Sequence, residues 1–190
     1  MAVILGIDPG TNFMGYGIIE SAGNAVKCLG VGIVDMHKMD DPYMKLKMIF
    51  NRVTGLINSY HPDSLSIEAQ FYEKNAQSML KLGRAQGVAI AAAVSCGVQI
   101  FEYEPRKIKQ SVTGYGNATK EQVAAMLARM LNLTELPDKY DATDALAAAV
   151  CHHFQSKFPA VTSSPTKAKR TKKSAGSWEA FISQNPDRVC

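Results

Sequence analysis

The chain has 190 residues, 46% hydrophobic and 20% charged, with 21 Lys and Arg against 17 Asp and Glu, which excludes a disordered or collagen-like chain and fits one ordinary domain with an appendage. It carries no run of about 18 apolar residues that would span a membrane, and its opening, MAVILGIDPG, lacks the basic stretch of a secretory signal, so a cytoplasmic protein is expected. The charge is unevenly divided: residues 1–156 hold 14 basic and 15 acidic side chains, whereas residues 157–190 hold seven and two.

Residues 3–7, VILGI, form a short β-branched run that predicts a buried strand ending at Asp8, with Pro9, Gly10 and Thr11 as the turn after it. Residues 15–20 and 26–35 predict two further strands joined through Ala22, Gly23 and Asn24, an antiparallel meander. The period then changes. Leu46, Ile49, Phe50, Val53, Leu56, Ile57 and Tyr60 recur at helical spacing until His61-Pro62-Asp63 ends the pattern. Residues 64–69, SLSIEA, predict a strand carrying Glu68, and the Ala-rich stretch over about 74–96 predicts a long helix.

A fifth strand is expected at 98–103, then a short basic helix, RKIKQSV, opened by Pro105. TGYGNA (113–118) reads as a loop, and Thr119 with Gln122 as a capping box before a helix ending near Leu131. A last helix runs from about Asp141 to Gln155. Beyond it, 159–177 is poor in hydrophobes and rich in Lys, Ser, Thr and Pro, which predicts a linker or flexible arm, and SWEAFISQNP carries the single Trp as a small docking motif. The expected organisation is a folded domain over 1–156 with a basic tail over 157–190. Within the domain, strands first and then strands alternating with helices predict a three-layer α/β fold on a mixed sheet.

Four carboxylates have distinctive local settings. Asp8 ends an apolar strand before a glycine turn, Glu68 ends another strand, and Asp141 and Asp144 share one face at the start of a helix. Gathered without cations, four carboxylates would repel and raise one another's pKa values. An all-oxygen set suits Mg²⁺ or Mn²⁺, and two ions about 3.5–4 Å apart can clamp an in-line phosphoryl displacement. Each residue also has a plainer reading. Asp8 fits a turn former, Asp141 a helix N-cap with Asp144 favouring the first turn, and Glu68 a solvent-facing strand position opposite Ile67.

The ordered set ILGIDPGTNFMGYGI, SIEAQFYEKNAQSMLKLGRAQGVAI, VTGYGNATKEQV and DATDALAAA resembles the RuvC family of bacterial Holliday-junction resolvases over about residues 2–156. The resemblance implies a ribonuclease-H-like three-layer fold with a five-stranded mixed sheet and helices on both faces. It also implies a homodimer that nicks opposed strands of a four-way DNA junction symmetrically, leaving 5′-phosphate ends, in recombination and repair. The family's acidic cluster falls on Asp8, Glu68, Asp141 and Asp144 as ligands of two Mg²⁺ ions, with Mn²⁺ as a substitute. Lys109 and Lys120 match lysines beside the scissile phosphate, which can stabilise charge there. Phe71 matches an aromatic that contacts bases near the crossover, and Lys81, Arg84, Arg106 and Lys107 extend the expected DNA-binding set. A partnership with the RuvA–RuvB branch-migration machinery is implied in the same way. One departure stands out: Ala69 follows Glu68 where the family commonly has Gln, which alters contacts beside the site.

Two other functions compete. A catalytically inactive junction-binding scaffold would be expected to lack one of the four acids. An actin-like or sugar-kinase-type ATPase fragment shares the Asp-x-Gly turn, but needs a second lobe and leaves DATD unexplained. The remaining chemistry-bearing residues read as structural. The four cysteines form no CxxC pair and are expected as reduced thiols. Cys151-His152-His153 points to different helix faces, and His37 and His61 stand near segment ends without evident partners. The nine methionines are expected mostly in helical stripes packing the core.

Overall fold

In the computed structural model, which describes residues 1–69, 75–133, 135, 137 and 139–157, the chain opens with β1 (Ala2–Asp8), β2 (Phe13–Ala22) and β3 (Ala25–Asp35). β1–β2 and β2–β3 pair antiparallel, and Gly23, with a φ of 56°, supplies the left-handed turn that the β2–β3 hairpin needs. Helix α1 (Pro42–Tyr60) starts earlier than the apolar stripe because Asp41 accepts a hydrogen bond from the Tyr43 N–H and Pro42 opens the first turn. It ends on His61, whose left-handed backbone lets its N–H donate to the Ile57 carbonyl.

β4 (Ser64–Glu68), α2 (Ala76–Ser95), β5 (Gln99–Tyr103), α3 (Pro105–Thr113), α4 (Lys120–Leu131) and α5 (Tyr140–Lys157) follow. The Thr119–Gln122 capping box expected from the sequence is formed at the start of α4. The strands lie in the order β3-β2-β1-β4-β5, with β4 parallel to both β1 and β5. This is the mixed five-stranded sheet that the motifs implied.

Period-two alternation sends successive side chains of each strand to opposite layers. Leu5, Ile7, Leu65 and Ile67 pack beneath Ile49 and Val53 of α1 and Ala85 and Ala89 of α2. Ile4 and Ile19 face the other layer, with Ile108 of α3, Leu127 of α4 and Leu146 of α5. Central strands buried on both faces explain why VILGI reads as a continuous apolar run. Burying each such Leu or Ile contributes about 1.5–3 kcal/mol.

The methionines depart from expectation. Met14 and Met36 are fully buried, but neither lies on a helix, whereas the helical Met44, Met48 and Met126 are 45%, 38% and 37% exposed. Phe50 is 38% exposed, so the inward stripe of α1 is Ile49, Val53, Leu56 and Ile57. Among the described residues no helix is long and apolar enough to cross a membrane.

Candidate active site

Asp8 and Glu68 meet because β1 and β4 are parallel neighbours in register. Ile7 lies opposite Ile67, so the next residue of each strand emerges beside the other at the same sheet edge. Alternation turns both carboxylates away from the face of Ile7 and Ile67. That opposite face is covered by α5 rather than solvent, which removes the solvent-facing reading of Glu68.

Helix α5 lies unusually close to the sheet. A Cβ built on Gly6 would overlap the Ala145 carbonyl oxygen, and one on Gly15 would overlap the Asp141 carbonyl. At Gly17 it would stand 2.8 Å from the Leu146 Cα. The helix answers with Ala142, Ala145, Ala147, Ala148 and Ala149, all buried, and Ser66 Oγ ties β4 to it by donating to the Ala148 carbonyl at 2.7 Å. Small residues on both sides bring the first turns of α5 down onto the strand ends.

A pocket of about 180 Å³ results, lined by Asp8, Glu68, Lys109, Lys120 and Asp144 above apolar Ile108, Val123 and Ala147. Five elements thus contribute one charged side chain each. Burial, then the charges of Glu68, Asp144 and Asp141, push the Asp8 carboxyl up to about 8, against the opposing pull of Lys120. Burial and the Asp144 charge also raise Glu68, with Lys120 and Lys109 opposing. Lys120 Nζ donates to Asp144 Oδ2 at 2.5 Å. Burial would lower the Lys120 pKa, but that hydrogen bond and the charges of Asp144, Asp8 and Asp141 together raise it.

Asp141 lies in the first turn of α5, off the pocket wall, yet its charge acts on both Asp8 and Lys120. It is not the N-cap considered from the sequence, because the helix already begins at Tyr140. As placed, the described residues include no group of three or more His, Cys, Asp or Glu side chains closed up around a metal position, and Lys120 supplies the cation among the acids. The chemistry of the donor set nevertheless fits hard divalent ions. It is all oxygen, it is partly withdrawn from water, and the neighbouring acids raise the pKa values of Asp8 and Glu68 in the way a bound cation would relieve.

The other expected DNA contacts are dispersed. Arg106 packs along Gly116, and the Lys107 charge bears on the Cys151 thiol; neither lines the pocket. Lys81 and Arg84 line a separate groove beside Asn12 and Lys45. Phe71, the docking motif with Trp178 and the basic tail beyond Lys157 lie outside the described residues, and Lys157 itself closes α5. At Ala69 the backbone N–H donates to the Tyr103 carbonyl at 2.9 Å, and Gln86 Nε2 of α2 approaches the Glu68 carbonyl at 3.4 Å.

The histidines are structural, with one correction. His152 and His153 are buried, against the Tyr103 hydroxyl at 2.7 Å and the Ser21 hydroxyl at 2.6 Å. His37 does have a partner, Asp35, with Nδ1 2.5 Å from Oδ1. Sequence reading passed over Pro105 and Val123 as pocket walls and Gly15 as the seat of α5. The available signal was GYG inside a strand, since strand glycines mark close approach of another backbone.

A mixed five-stranded sheet with acids at adjacent parallel strand ends and on the covering helix defines a nuclease of the ribonuclease-H-like class. The family profile of the crossover junction endodeoxyribonuclease RuvC matches residues 4–152. The RuvC protein of Cytophaga hutchinsonii is 54% identical over 187 residues, 98% of this chain and 88% of that protein. The chain belongs to the RuvC family of crossover junction endodeoxyribonucleases. The Porphyromonas gingivalis member is 50% identical over 190 residues, covering 98% of this chain and 96% of that one. Among solved structures, Thermus thermophilus RuvC in complex with a Holliday junction substrate superposes with a TM-score of 0.77 at 30% identity, over 83% of this chain and 96% of that one.

Proposed function

We propose that this chain acts in the cytoplasm on four-way DNA junctions as a homodimer, each protomer nicking one of two opposed strands by hydrolysis that leaves 5′-phosphate ends, in recombination and repair. The observation that carries this reading is the pocket where Asp8, Glu68 and Asp144 meet Lys109 and Lys120. Acids and bases converging from five elements suit a phosphodiester whose charge must be both held and redistributed. The Holliday junction bound to the Thermus relative supports the same substrate.

Asp8, Glu68, Asp141 and Asp144 would hold two Mg²⁺ ions, with Mn²⁺ as a substitute. Bound there, they would supply neutralisation of the carboxylates and polarisation of the phosphate for in-line displacement. Lys109 orients the scissile phosphate. Lys120, restrained by Asp144, stabilises the charge that builds on its oxygens. The apolar walls at Ile108 and Val123 limit water around the reacting group. Phe71, Lys81, Arg84, Arg106 and Lys107 contribute to junction binding, and the RuvA–RuvB complex delivers the junction. The catalytic domain comprises residues 1–156, and the basic segment 157–190 adds sequence-independent affinity through counterion release.

The test is cleavage of a synthetic mobile four-way junction with Mg²⁺ or Mn²⁺. Asp8→Asn, Glu68→Gln, Asp141→Asn and Asp144→Asn are each expected to abolish nicking while junction binding largely persists. A wild-type protein that binds the junction but never nicks it with either ion would be a scaffold instead.

A further inference from the structure

A second charged concavity, separate from the acidic pocket, lies between the β1–β2 turn, the start of α1 and the first half of α2. It encloses about 390 Å³ and brings together Asn12, Lys45, Lys81 and Arg84, with Asp40 as its one acid. Among the described residues none of these three cations is in an ion pair. Unneutralised cations around one groove attract an anion.

Lys45 differs from an ordinary surface lysine in being held in place. Its Nζ donates to Asn12 Oδ1 at 2.8 Å. Asn12 is itself anchored, its carbonyl accepting from the Met36 N–H at 2.8 Å. A lysine ammonium has three donors, so the bond to Asn12 leaves two for a ligand. Part of the rotamer entropy that a free lysine loses on binding is already lost here. Tyr43, 75% exposed, stands at the rim as an aromatic face.

The groove is tied to the acidic pocket by covalent chain. Asn12 follows Asp8 by four residues through the β1–β2 turn, so their Cα atoms are at most about 14 Å apart. That bound amounts to at most about four nucleotides of one strand at ~3.4 Å of axial rise each.

We propose that this groove is a second anchor for the DNA sugar–phosphate backbone, with Lys45, positioned by Asn12, as its central phosphate contact and Lys81 and Arg84 as its flank. The assignment rests on the nuclease reading above for its ligand. It adds Lys45 and Asn12, which motif matching did not single out, and it gives Lys81 and Arg84 a shared location. The groove grips the strand a few nucleotides from the cut, which fixes the direction in which that strand crosses the acidic pocket.

The experiment measures Kd against NaCl concentration for a four-way junction and for a plain duplex of equal length, both in EDTA to prevent nicking. Lys45→Gln, which keeps a polar side chain without the charge, should weaken binding several-fold at low salt and reduce the log–log salt slope by about 1 on both DNAs. Lys45→Arg should restore the slope, which separates lost charge from lost fold. Asn12→Ala, which frees the ammonium without removing it, should weaken affinity while keeping the slope. A Lys45→Gln protein with wild-type slope and Kd on both DNAs overturns the groove. A wild-type protein showing no preference for the junction over the duplex overturns the resolvase reading instead, and the groove then stands or falls on the duplex slope.

Discussion

Gly15 lies so close beneath the carbonyl of Asp141 that any Cβ at that strand position would overlap the helix backbone. The contact sets the height of α5 above β2, and hence the position of Asp144 relative to Asp8. Gly15→Ala is therefore expected to lift the start of α5. Overpacking of this kind costs about 1–3 kcal/mol. Thermal unfolding should show the loss, and nicking of a four-way junction should fall further than stability alone would explain. Unchanged nicking with an unchanged melting temperature would mean that α5 accommodates the methyl elsewhere.

The raised pKa of Asp8 makes the stability of the metal-free protein depend on pH. Its folded value, about 8, lies above the ordinary 3.8, so between those values the folded state holds a proton that the unfolded state has released. The contribution is fully present below about pH 4 and is lost as pH rises through about 8. In EDTA, wild-type stability should decline over that range more steeply than that of Asp8→Asn.

Mg²⁺ competes with that proton for the same carboxylates. Added Mg²⁺ is thus expected to raise the melting temperature more at pH 8 than at pH 5. Thermal shift at the two pH values, with and without Mg²⁺, checks this. No shift at either pH, with Mn²⁺ equally inert, would remove the acids as a metal site.

Lys120 is both the partner of Asp144 and a wall of the pocket. Lys120→Ala should slow single-turnover nicking by about 10²–10³-fold, the usual cost of removing one preorganised charge stabiliser. Lys109→Ala should also slow it, through the same phosphate. Wild-type rates in both variants would place the lysines outside the chemistry.

Thr119 acts one step back from Lys120. Its hydroxyl accepts from the Gln122 N–H, and Gln122 Oε1 accepts from the Thr119 N–H at 2.9 Å, which fixes the first turn of α4. Thr119→Ala is expected to cost about 1 kcal/mol of stability and to loosen Lys120 at the helix start. Thr119→Ser, which keeps the capping oxygen, should recover both stability and nicking rate.

The amino-acid sequence by itself determined which elements form and several of their ends, because these are local. The VILGI run, the Gly23 turn and the Thr119 box act on their own neighbours, and each is where the pattern put it, whereas α1 begins at Pro42, ahead of the stripe that starts at Leu46. It also supplied the four acids as a set, through motifs rather than through any single residue. What it left open was orientation. Glu68 could have faced solvent, and Asp141 could have been only a cap. The parallel register of Ile7 with Ile67 under α5 decided the first question, and the start of α5 at Tyr140 decided that Asp141 is not its N-cap. Register and close approach join residues far apart in the chain, so no local periodicity records them. The grouping of Lys45 with Asn12, Lys81 and Arg84 is likewise a product of three elements packing together. Composition had put the basic excess in the tail; packing shows a smaller, concentrated positive groove between the β1–β2 turn, α1 and α2.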